Sequence, residues 1–237
     1  MLIKNNFSKD SIKSKNYIKN LKKTKISFKS LLKDLENFEI PLIESFEKNY
    51  KLDFPQSLVK KFSRYQNIII IGMGGSVLGT KSIYSFLKYK IKKNVFFFDN
   101  LDPNLYLQYK KINKLKNSCF IVVSKSGNTL ETITNLCAVF SEKLLKNKLI
   151  IITEIKDSAL INIGNKYNAE IISHQEFIGG RYSVLSETGM LPAALMGLNI
   201  NKFKNLKKFI NNKNFVSCLI QNVASIYTLN TKGIRNS

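Results

Sequence analysis

Apolar residues fall into two regimes along the chain. Up to residue 55 they are sparse and helically spaced: Phe28, Leu31, Leu32, Leu35 and Phe38 recur every three or four positions among lysines and polar residues. Pro41 and Pro55 punctuate this stretch and close it. From residue 67 the apolar residues gather into short solid blocks, Asn67–Gly72, Val95–Phe98, Cys119–Ser124, Leu149–Thr153 and Ala169–Ser173. Each block has the length of a strand, and none alternates apolar with polar. A strand buried on both faces has that pattern, as in a parallel sheet covered on each side. The segments between the blocks are helix-sized, beginning with Ser76 to Lys90. Three helix starts are marked: Asp102 before Pro103, Asn128 with Glu131 three residues on, and Ser158. After Gly189 the pattern is mostly helical. The expected fold is α/β: a five-stranded parallel sheet with helices on both faces, in three layers, preceded by a helical segment. The expected division is residues 1–55 for that segment and 56–237 for the sheet domain.

Composition agrees with a packed domain, since 44% of the 237 residues are hydrophobic. No apolar run reaches membrane-spanning length. The lysine-bearing N-terminus lacks the apolar core of a secretory signal, and transit peptides favour Arg where this segment has only Lys. Formal charge is +22, from 38 basic and 16 acidic residues. The excess is lysine spread along the whole chain in small knots, and arginine occurs only at Arg64, Arg181 and Arg235. Such a surface is expected to be solvated and to attract small anions, with nucleic-acid binding the minority reading because the arginines that read base edges are rare. Cys119, Cys137 and Cys218 share no metal-ligand spacing and are expected as free buried thiols. A reducing cytoplasm fits, with no metal, no membrane and no nucleic-acid partner.

Three loops carry candidate chemistry, and each follows a predicted strand, where open α/β sheets bind ligands. Gly72-Met-Gly-Gly-Ser76 is a glycine turn into a helix. A dinucleotide fingerprint needs glycine where Val77 stands, although Asp99 lies at a suitable spacing for a ribose ligand. A triphosphate loop is excluded because no Gly-Lys-Ser/Thr closes the turn. Ser124-Lys-Ser-Gly-Asn-Thr129 offers three hydroxyls, a lysine and a freed backbone at a helix start, a donor set suited to one phosphate. Gly179-Gly-Arg-Tyr-Ser183 sets an arginine in a glycine turn.

The first two loops together resemble the sugar isomerase (SIS) domain, which binds phosphorylated sugars. The third, running on through Val-Leu-Ser-Glu-Thr-Gly189, is similar to the GGRYS signature of the glucose-6-phosphate isomerase family. The three motifs occur in that family's order and span residues 72–189. The resemblance implies reversible aldose–ketose isomerisation of glucose 6-phosphate and fructose 6-phosphate through a cis-enediolate. It implies no cofactor, and a homodimer at full length. It assigns substrate contacts to Gly75, Ser76, Ser124, Lys125, Ser126, Thr129 and Gly180. Arg181 becomes the catalytic residue beside the reacting carbons, where a fixed guanidinium stabilises enediolate charge.

The family's base is a Glu, assisted by a His and a Lys, and all three lie beyond the GGRYS region. No QxxxES-like segment carrying that Glu occurs here, and a second SIS domain is absent from the sequence. Glu131, Glu154, Glu187 and His174, the only histidine, do not map onto those roles. A chain that stops before the base is expected to isomerise poorly alone. The alternative is a single SIS module that senses a sugar phosphate; it requires no GGRYS loop, and a regulator adds a helix-turn-helix that residues 1–55 lack.

Overall fold

The computed structural model describes residues 14–37, 41–47, 49–111, 117–139, 147–204 and 206–231. In chain order the elements are α1 (Lys15–Asn37), α2 (Gln56–Ser63), β1 (Asn67–Gly72), α3 (Gly75–Leu87), β2 (Asn94–Phe98), α4 (Pro103–Lys111), β3 (Ser118–Val123), α5 (Leu130–Ala138), β4 (Leu149–Thr153), α6 (Ala159–Tyr167), β5 (Glu170–Ser173), α7 (Glu187–Leu195), α8 (Leu206–Ile210) and α9 (Lys213–Thr231). Short 3-10 turns occupy Pro41–Phe46, Lys88–Lys90, Gly180–Leu185 and Ile200–Lys202. All five expected strands form, with ends displaced by at most one residue.

The chain divides into two compact units, Met1–Glu47 with Asn205–Ser237, and Lys48–Lys204. In the first, α1 packs along α9, and the Asn20 amide donates to Thr228 Oγ1 at 3.1 Å. The helix that packs on α1 is thus almost two hundred positions away, and the residue of α1 that is buried is Tyr17, while Leu31 of the predicted spacing stays exposed. Phe38, the last member of that spacing, lies outside the described residues.

The second unit holds the sheet, ordered β2-β1-β3-β4-β5 with every pairing parallel. Side chains on a strand alternate faces, and here both faces are covered. Ile68, Ile70, Ile121, Ile150 and Ile152 pack with Leu58, Val59 and Phe62 of α2, Val77 of α3, and Leu191 and Leu195 of α7. Ile69, Ile71, Phe120, Val122 and Ile151 pack with Leu136 of α5 and Leu160 of α6, with Leu105 and Tyr106 of α4 beside them. That double burial explains the solid blocks in the sequence. Val77, the residue that spoils a dinucleotide fingerprint, is completely buried in the first of these layers.

Two cap expectations hold. Asp102 Oδ1 accepts from Asn104 N at 2.9 Å, and Ser158 Oγ from Ile161 N at 3.4 Å. The third changes. The cap position of α5 is Thr129, not Asn128, and no side chain caps it. The thiols also differ from expectation: Cys119 and Cys218 are buried, but Cys137 is exposed on α5. Burial on β3 pushes the Cys119 thiol up to about 12. In the native chain a thiol reagent at pH 8 is expected to label Cys137 within minutes. Cys119 should react only after denaturation, and mass mapping of the labelled peptides checks this.

Candidate functional site

Parallel pairing brings the carboxyl ends of the strands to one edge. Gly72 pairs with Val123, Val123 with Ile152, and Thr153 with Ser173, so β1, β3, β4 and β5 stop at one level. The three sequence-predicted loops leave from this line.

The loop after β3 sits between two helix N-termini and treats them oppositely. At α6 every first-turn donor is used. Asn128 Oδ1 accepts from Ala159 N at 2.8 Å, Gly127 O from Leu160 N at 3.1 Å, Ser158 Oγ from Ile161 N and Ser158 O from Asn162 N. Asn128 is thus spent on a neighbouring helix, which is why it does not cap its own. Gly127 makes the turn possible, with φ +71° and no room for a side chain, since a Cβ there would lie 2.3 Å from Ser158 Oγ.

At α5 the first-turn N–H groups of Leu130, Glu131 and Thr132 have no acceptor among the described residues. Three hydroxyls gather beside them. Ser124 Oγ lies 2.9 Å and Ser126 Oγ 3.5 Å from Thr129 Oγ1. Open N–H groups, a helix dipole and clustered hydroxyls together form an anion cradle.

The Lys125 side chain turns away to the segment after β5. Its Nζ donates to Glu176 O at 2.6 Å and lies 3.6 Å from Glu154 Oε1. Lys156 holds the other oxygen of Glu154. The Lys156 hydrogen bond, with the Lys125 charge behind it, keeps the Glu154 carboxyl below its ordinary range.

The first and third loops touch through their backbones. A Cβ on Gly75 would stand 2.3 Å from the carbonyl carbon of Gly180 and 2.8 Å from Arg181 N. Ser183, fully buried, donates to Gly180 O at 2.8 Å and approaches Gly75 O at 3.4 Å. The α3 turn satisfies the Ser76, Val77 and Leu78 N–H groups internally, leaving the Ser76 hydroxyl without a partner among the described residues. Arg181 is exposed, and no described residue pairs with its guanidinium. Asp99 is held by Lys81 at 2.5 Å, so it does not wait for a ribose.

The remaining candidate bases are engaged or enclosed. Glu187, on the first turn of α7, is buried, accepts from Asp53 N at 3.0 Å and from Tyr50 Oη at 3.2 Å, and is pushed up by burial. Lys204 Nζ stands 4.2 Å from the centre of the Tyr50 ring with no hydrogen-bond acceptor among the described residues. Burial lowers Lys204 to about 8, with the Glu187 charge opposing. His174 is buried; its Nδ1 faces Gln175 O at 3.1 Å, so that nitrogen carries the proton and Nε2 is left without a partner. Burial lowers its pKa below the ordinary histidine value.

Sequence reasoning named Glu154, Ser158 and Glu187 but missed what they meet: Lys125 and Lys156 at Glu154, and the buried group of Tyr50, Asp53 and Lys204 around Glu187. Glu154 had a usable signal, since it follows a strand at the ligand-binding edge. The buried group had none, because its members are scattered over more than a hundred positions.

A family model described as "Phosphoglucose isomerase" matches residues 57–230. A Methanocaldococcus jannaschii glucose-6-phosphate isomerase is 39% identical over 147 residues, covering 60% of this chain and 36% of that protein. One from Mesomycoplasma hyopneumoniae is 33% identical over 175 residues, covering 68% and 41%. The chain thus spans about two fifths of the length of these curated relatives. Two crystal structures share the fold. A Thermus thermophilus hypothetical protein has TM-score 0.59 at 20% identity, covering 92% of this chain and 49% of that one. A glucose-6-phosphate isomerase from Chlamydia trachomatis has TM-score 0.56 at 22% identity, covering 73% and 34%.

Two outcomes are expected. Gly75→Ala forces two backbones apart, because the atoms it would meet are main-chain atoms of Gly180 and Arg181 and not the end of a flexible side chain; a loss of about 2 kcal/mol or more is expected in urea melts. Lys204 has a folded pKa of about 8 against 10.5 unfolded. Its depressed pKa contributes stability that is complete above 10.5 and lost as pH falls to about 8. Native unfolding free energy minus that of Lys204→Met should therefore rise across that window and be flat below it, as read from melts at stepped pH.

Proposed function

This chain belongs to the phosphoglucose isomerase family, and from that premise we propose that it binds glucose 6-phosphate and fructose 6-phosphate and serves their interconversion. The observation that carries this reading is the open N-terminus of α5 ringed by the Ser124, Ser126 and Thr129 hydroxyls. A substrate phosphate there accepts from these hydroxyls, from the free N–H groups and from the Ser76 hydroxyl. Gly75 and Gly180 let the Arg181 loop pack backbone to backbone against the first loop, where any side chain on Gly75 would clash.

In this reading Arg181 faces the C1–C2 end of the sugar. Removing the C2 proton places negative charge on the two adjacent oxygens, and a guanidinium with no competing carboxylate is free to neutralise it. The base is not Glu154, which two lysines occupy, nor Glu187, which is enclosed beneath the third loop. These 237 residues on their own are accordingly proposed to bind substrate and to turn it over weakly. The matched stretches cover only 36% and 41% of the two curated relatives. We assign to the reading, too, a cytoplasmic setting and a homodimer for the full-length protein. Among the described residues no helix is long and apolar enough to cross a membrane.

Titrating fructose 6-phosphate with the purified chain tests the reading by phosphorus NMR. A shifted or broadened phosphate signal with little or no glucose 6-phosphate is expected, and the Ser126→Ala/Thr129→Ala double variant should weaken binding about tenfold or more. An unmoved signal with folded protein refutes the cradle; rapid product formation refutes the account of the base. Arg181→Met should weaken an aldonate 6-phosphate, whose carboxylate stands in for the enediolate, by about tenfold more than it weakens fructose 6-phosphate.

A further inference from the structure

Lys125 belongs by sequence to the phosphate loop, yet its ammonium is engaged elsewhere. Its main chain is pinned to the end of β4: Lys125 O accepts from Glu154 N at 3.1 Å and from Thr153 Oγ1 at 3.4 Å. Its side chain crosses to the exit of β5, where Nζ donates to Glu176 O at 2.6 Å with Glu154 at 3.6 Å. Glu176 lies five residues before Arg181. Among the described residues this is the only hydrogen bond joining Ser124–Thr129 to the segment from His174 to Arg181.

We propose that Lys125 is a positioning residue, a strut by which occupation of the phosphate cradle fixes the segment that carries Arg181. The inference rests on the sugar-phosphate reading above and adds a coupling to it. Three features support a strut over a simple phosphate ligand. Both ends of the residue are anchored on different strand exits. The acceptor at the far end is a backbone carbonyl, so pulling on it moves chain and not a rotamer. Glu154 is shared with Lys156, so its carboxylate steadies the ammonium without depending on it. A phosphate that draws the Ser124–Thr129 loop onto itself therefore pulls Glu176, and with it the turn leading to Gly179 and Arg181. Substrate held by its phosphate end thereby orders the residue needed at its reacting end.

Two amides report on that turn, since Ile178 N bonds Gln175 O at 3.1 Å and Tyr182 N bonds Gly179 O at 2.9 Å. Amide hydrogen exchange of the full chain, read at these two sites and at β1 as internal control, is the test. In the native chain fructose 6-phosphate should slow both amides about threefold or more. In Lys125→Met both should exchange about tenfold faster before substrate is added, β1 should be unchanged, and substrate should no longer slow them. Lys125→Arg should restore the effect. Native rates and native protection in Lys125→Met, with fructose 6-phosphate still bound by phosphorus NMR, overturn the strut alone. No phosphorus signal change in the native chain overturns the sugar-phosphate reading, and the coupling with it. Should Lys125→Met fail to fold, the Lys125 ammonium resonance of the native chain decides. Slow proton exchange that shifts with substrate supports the strut, and exchange as fast as that of the exposed Lys60 overturns it.

Discussion

Every strand of the sheet runs in one direction, its three central strands β1, β3 and β4 are buried on both faces, and the rest of the molecule follows from that constraint. With water excluded above and below, backbone groups inside the sheet are satisfied by neighbouring strands. At the carboxyl edge that supply ends on one line, from Gly72 through Val123 and Ile152. The chain must turn into helices there, and each helix brings unsatisfied N–H groups to the same edge. Where a loop can satisfy them it does, as the Gly127–Asn128 turn does for α6. Where it does not, as at α5, the donors remain for an anion.

Close backbone approach is the second condition. The first loop and the Arg181 loop meet through Gly75 and Gly180 with no side chain between them. Ser183 ties both carbonyls from beneath. The glycines of the first turn thus serve a contact between two loops of one protein. A dinucleotide turn uses the same residue type to approach a cofactor, and so the two motifs look alike until the sixth position, where Val77 fills the core instead.

Charge near the site is arranged so that anions meet cations that have been placed for them. Lys81 takes Asp99, and Lys125 with Lys156 takes Glu154. Arg181 stays clear of every described carboxylate. A strongly basic chain makes this easy, because acids are few and each is outnumbered. Most of the formal charge is lysine, whereas the cation assigned to the reaction in the proposed reading is a single arginine.

The amino-acid sequence determined the layered α/β fold, the strand positions and the three loops, because solid apolar blocks, turn glycines and hydroxyl clusters are local signals. It also carried the identity of Arg181, through a motif short enough to read in one window. Tertiary structure alone decided the pairing of α1 with α9, the use of Asn128 on a neighbouring helix and the diversion of Lys125 to Glu176. It alone enclosed Glu187 with Tyr50, Asp53 and Lys204. In each case the partner is remote in sequence, and side chains such as Asn, Lys and Glu accept many partners. Which one they meet is set by where the sheet delivers the chain, and no local pattern of residues encodes that.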